Sequence, residues 1–124
     1  MLDYKTTLRR LALRDDRLIE ALLAREGACS ESGLDPRMRA LVQIGALVAV
    51  DAAPPSYMSV AEEAIEAGAT YDDLVGSLIV VMPVVGVPRV VSAAPSLGLA
   101  LGYDVGEALE AVGGDDGAER GAAA

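Results

Sequence analysis

The sequence predicts an all-α domain of about five to six helices. Two observations carry the prediction. Apolar residues recur at steps of three, four and seven over several stretches, which puts them on single helical stripes. Capping residues and helix-stopping Gly and Pro residues then divide those stretches at regular intervals. The core material fits this class. Apolar residues make up 52% of 124 positions, yet there are four Tyr and no Phe or Trp, so the core must be built from Val, Leu, Ile, Ala and Met. Such small side chains let helices approach closely and leave apolar surface for contacts between subunits.

The first helix is predicted from about Asp3 to Arg25, with Tyr4, Leu8, Leu11, Leu18 and Leu22 on one stripe and Asp15 interrupting it. Residues Glu26 to Gly33 hold two glycines and two serines and read as a loop. Asp35-Pro36 is a strong helix start, because Asp caps free amides and Pro suits the first helical position. That helix runs to about Val50, and Pro54-Pro55 marks the break after it. A third helix is expected from Ser56 to Ala67, stopped by Gly68. Thr70 caps a fourth, with Asp72 and Asp73 at its positive end. Its run from Leu74 to Met82 is rich in β-branched residues that would suit a strand, but the cap favours helix. Pro83, Gly86 and Pro88 are expected to end it. Pro88 opens a fifth helix to about Leu101, which Pro95 should kink or split. A short helix from Val105 to Val112 follows Gly102. Residues 1–112 are read as one domain, and Gly113 to Ala124 as a disordered tail.

Composition excludes several functions. The net charge of −9 argues against nucleic acid and anionic membranes, since both bind through cations. The longest uncharged run, between Asp73 and Arg89, is too short and too broken by Pro and Gly to span a bilayer. Met1-Leu2-Asp3-Tyr4 is no secretory signal, and a lone cysteine, Cys29, forms no internal disulfide. The expected location is therefore the cytoplasm. With no histidine and one cysteine, a His/Cys metal site, a dithiol redox pair and a Ser-His or Cys-His dyad all lack their ligands or bases. No cofactor or metal is expected.

Four local features, in order and at matching spacing, resemble the carboxymuconolactone decarboxylase family, which includes the alkylhydroperoxidase D-like proteins. They are Leu34-Asp35-Pro36-Arg37-Met38-Arg39, the segment Ala64-Ile65-Glu66-Ala67-Gly68-Ala69-Thr70, the acidic pair in Asp72-Asp73-Leu74, and the turn Gly86-Val87-Pro88. The family-like core covers residues 34–103. The resemblance implies a helical domain assembled as a homotrimer or hexamer. In the peroxidase branch it implies a Cys-x-x-Cys pair, a histidine one turn later and an upstream glutamate. Counted back from Gly68, the histidine position is Val60, the two cysteine positions are Ser56 and Ala53, and the glutamate position is Val48. The decarboxylase branch also expects its acid/base histidine at Val60. Thiol peroxidase and disulfide-reductase chemistry is therefore expected to be absent.

Three other residues are candidates for a site. Glu63 projects beside Val60 and Ser56, and is either a non-histidine acid/base or a solvated helix-face carboxylate. Tyr57 either donates a hydrogen bond to a ligand or is a core aromatic with its hydroxyl at the surface. Arg89 either binds a substrate carboxylate or forms an ion pair with Asp72 or Asp73. Asp72-Asp73 is read as capping, not as a metal site. Two functions follow: a non-redox oligomer that binds a small ligand or acts structurally, or an enzyme acting on a small carboxylated or lactone-like metabolite.

Overall fold

A computed structural model describes residues 3–24 and 31–112. Cys29, most of the loop expected from Glu26, and the tail expected from Gly113 lie outside the described residues. Among those described there are helices and turns and no strand. The chain forms two compact units, Met1–Arg39 and Ala40–Ala124.

In the first unit the single long helix expected from Asp3 to Arg25 is two helices, α1 (Tyr4–Ala12) and α2 (Asp16–Leu23). The break follows from Arg14 and Asp15. Arg14 adopts a left-handed φ of 54°. The Asp15 and Arg14 amides return to the carbonyls of Arg10 and Leu11 at 2.9 and 3.0 Å, which closes α1. Asp15 then caps α2 by accepting from the amides of Arg17 and Leu18. The Arg10 Nε donates to Asp15 at 2.8 Å across the corner. Thus the residue that interrupts the apolar stripe is the residue that stops one helix and starts the next. Asp3 caps α1 in the same way through the Thr6 amide.

Helix α3 (Pro36–Ala49) opens where Asp35-Pro36 predicts, with the Met38 amide donating to Asp35 at 2.8 Å. Helix α4 (Pro54–Glu66) begins two residues earlier than expected. Pro54 and Pro55 do not precede it; they form its first turn, where an amide would have no intrahelical partner anyway. Gly68, at φ 97°, ends it, with the Ala69 amide returning to Ala64 at 2.9 Å. Helix α5 (Tyr71–Val85) opens on a reciprocal cap: Thr70 accepts from the Asp73 amide and Asp73 accepts from the Thr70 amide. It then passes through Pro83, contrary to expectation, and ends at Gly86. Helix α6 (Val87–Ala100) likewise passes through Pro95 without splitting. Both prolines are exposed, and so are Ile79 and Val91, the residues whose carbonyls lose their amide partner. Water can satisfy those carbonyls, which lowers the cost of a proline there. A final helix, α7, covers residues 105–112, as expected.

The core of the second unit is built from apolar side chains and the ring of Tyr57, and sits between α3, α4, α5 and α6. Ala40, Ile44 and Val48 come from α3, Tyr57, Ala61 and Ala64 from α4, Leu74 and Leu78 from α5, and Val90, Ala93 and Leu97 from α6. Each set steps by three or four residues, which gives one face per helix. Helix α6 packs against both α4 and α5. Close approach is built in: a Cβ on Gly45 of α3 would stand 3.0 Å from a methyl of Val81 on α5. No described helix is long and apolar enough to cross a membrane.

Candidate functional site

The turn between α3 and α4 and the first turns of α4 hold most of the positions singled out by sequence. Val48, near the end of α3, is fully buried in the core. Ala53 is the N-cap residue of α4 and offers no side-chain hydrogen bond to it. Ser56 is exposed, and Val60, one turn on, is partly buried against the core. None of these four side chains is ionisable near neutral pH.

Tyr57 departs from the expected picture. Its ring is fully buried, and its hydroxyl is not at the surface. The phenol oxygen is buried with no hydrogen-bond partner among the described residues. Burial raises the phenol above its usual value near 10, and the negative charge of Asp51 pushes it further in the same direction. The group is therefore a neutral hydroxyl at any physiological pH. An unpaired buried hydroxyl costs about 1–3 kcal/mol relative to a satisfied one.

Arg89 pairs with neither Asp72 nor Asp73. Its Nη1 lies 3.4 Å from a carboxylate oxygen of Asp51, and Ser92 Oγ donates to the other oxygen at 3.0 Å. Asp51 thus ties the α3–α4 turn to the first turns of α6. Its backbone helps: Asp51 stands at a left-handed φ of 53°, and the amides of Asp51 and Ala52 return to the carbonyls of Val48 and Leu47. Both charged partners are about half exposed, so the pair contributes on the order of 0.2–1 kcal/mol. The Arg89 guanidinium is reachable from solvent and is already engaged by a carboxylate. Asp73 serves the α5 cap. Glu63 is exposed on α4.

Sequence reasoning missed Asp51 and Ser92. Arg89 and Ser92 are three apart and share a face of α6, but nothing local joins them to a residue 41 positions earlier than Ser92. Among the described residues no group of three or more His, Cys, Asp or Glu side chains gathers to hold a metal ion.

Short helices with a capped Asp-Pro start, a glycine-stopped α4 and a Gly-x-Pro turn into α6 define an all-helical protein among the described residues. Comparison with family models makes the assignment specific: the carboxymuconolactone decarboxylase family matches residues 9–97, and the chain belongs to that family. The match begins within α1, well before the segment from Leu34 that carries the motifs. Searches among curated proteins and among solved structures found no match.

Proposed function

We propose that this protein is a member of the carboxymuconolactone decarboxylase family without thiol peroxidase chemistry, working in the cytoplasm as a homo-oligomer (a trimer or hexamer) that binds a small molecule or serves a structural role. One observation carries the reading. The positions that the family resemblance assigns to the redox pair, the histidine and the relay glutamate hold Ala53, Ser56, Val60 and Val48, and Val48 is sealed in the core. A methyl, a hydroxyl of ordinary acidity and two isopropyl groups neither cycle through a disulfide nor carry a proton.

Assembly is supported by apolar surface. Val80 and Val84 on α5 and Val91 on α6 are 75%, 85% and 64% exposed, together with Ile79 and Val87. So much branched aliphatic surface on two consecutive helices is unusual for a protein that stays monomeric.

The alternative is a lyase or isomerase acting on a small carboxylated or lactone-like metabolite through Glu63, Tyr57 or Arg89. The geometry favours it less. Tyr57 is closed off within the chain, and Arg89 is held by Asp51. The test combines light scattering with a turnover screen of small lactones and carboxylic acids. The reading predicts a particle of three or six chains, reduced in size by Val84→Asp, and no turnover. A monomeric particle overturns the assembly, and turnover lost in Glu63→Gln establishes the alternative.

A further inference from the structure

The second unit contains a cavity of about 550 Å³ between α5, α6 and the turn that follows α6. None of positions 48, 53, 56 and 60 lines it. Val75 and Leu78 of α5 form one wall, and Ala94 and Leu97 of α6 form the other. Tyr71 and Tyr103 also line it, and both rings are more than half exposed, which puts them at the mouth. Among the described residues, no lining side chain is charged.

The end of the cavity is built by a close approach that requires glycine. A Cβ on Gly98 would stand 2.7 Å from a methyl of Val105 and 2.8 Å from the Tyr103 carbonyl oxygen. Only without that atom can the turn fold back onto α6. Gly102, at φ 80°, turns the chain, and the Tyr103 amide then donates to the Gly98 carbonyl at 2.8 Å. This brings Tyr103 and Val105 over the open end of the two-helix groove.

We infer that this cavity is a binding site for a small, uncharged, largely apolar molecule. The volume lies in the range of small-molecule sites, roughly 300–1,000 Å³, and apolar walls with a few polar groups at the edge are their usual lining. Among the described residues, the two phenols are the only side-chain hydrogen-bonding groups in the lining, so they suit one polar substituent at the mouth. Charge selects against acids. Asp72 and Asp104 follow Tyr71 and Tyr103 directly, the chain carries −9 overall, and no cation lines the walls to receive a carboxylate. The inference specifies the ligand-binding arm of the function proposed above. The loss of thiol chemistry does not depend on it.

The test is a fluorescence titration with N-phenyl-1-naphthylamine, a neutral dye that brightens in apolar sites; the chain has no Trp to interfere. The expected result is saturable binding of one dye per chain, displaced by 1-naphthylmethanol and not by 1-naphthoate. Val75 is 44% exposed, so Val75→Asp should fold, as circular dichroism would establish. It should weaken the dye by about tenfold or more, because the ligand would then desolvate a charge. Ala94→Leu, which fills the cavity from the other wall without a charge, should weaken it as well. Absence of saturable binding, equal displacement by the naphthoate, or unchanged affinity in both folded variants overturns the inference. So does competition between the dye and self-association, which would make a second copy of the chain the occupant. None of these results bears on peroxide turnover, which tests the wider reading separately.

Discussion

The N-terminal helix pair and the bundle that follows are stabilised by different forces. In the described part of the pair, α1 has no buried side chain and α2 has one, Leu18. Its order comes from local polar bonds: the Asp3 cap, the Asp15 cap and the Arg10–Asp15 pair. In the bundle, twelve buried side chains form one apolar cluster, and the only buried side-chain polar atom without a partner among the described residues is the Tyr57 hydroxyl. The contrast implies that the bundle responds to lost volume, whereas the helix pair responds to lost charge.

The sharpest way to break the comparison is to cut the core. Leu74 is fully buried at the start of α5, and Leu74→Ala should lower the stability of the bundle by about 2–5 kcal/mol in urea denaturation. A loss well below that range would mean that the cluster is looser than its burial indicates.

Tyr57→Phe sharpens the same point. It keeps the ring and removes the orphaned oxygen, so stability should hold or rise by up to about 1–3 kcal/mol. The pH dependence has a definite sign. The folded phenol is raised above its unfolded value, so its contribution is intact below about pH 10 and is lost as pH rises toward the folded value. Tyr57→Phe should remove that alkaline loss. A variant that unfolds more easily at neutral pH would show instead that the hydroxyl has a partner in the assembled protein.

The smallest effect belongs to the helix pair. Hydrogen bonds from Arg10 and from the Leu18 amide hold the Asp15 carboxyl below the usual carboxylate range. A depressed value stabilises the fold above about pH 4 and ceases to do so as pH falls through the folded value. Protection of the Arg17 and Leu18 amides, taken as exchange relative to the intrinsic rate at each pH, should therefore fall in acid, and Asp15→Asn should abolish most of that pH dependence. Protection insensitive to both changes would remove Asp15 as the organiser of the corner.

Legibility in the sequence followed a similar division. Four helix ends use the same left-handed turn, at Arg14, Asp51, Gly68 and Gly102. Gly68 and Gly102 were readable, because glycine favours that conformation. Arg14 and Asp51 were not, because neither residue announces a positive φ. The cost was a merged first helix in one case and an overlooked ion-pair centre in the other. Pro83 was over-read as a helix end, and no split occurs at Pro95, since a sequence does not reveal which proline faces water. The apolar faces were legible wherever they stepped by three and four. The cavity was not, because it depends on Gly98 admitting the turn that folds back after Gly102.

The α3–α4 turn and α4 carry no thiol and no imidazole, and a peroxidase assay with a dithiol donor is the measurement that decides whether thiol chemistry is absent. Peroxide consumption is expected at the rate of the donor alone, for the natural chain and for Cys29→Ser equally. Catalytic turnover by the natural chain would contradict it, whether or not that turnover survived the loss of Cys29.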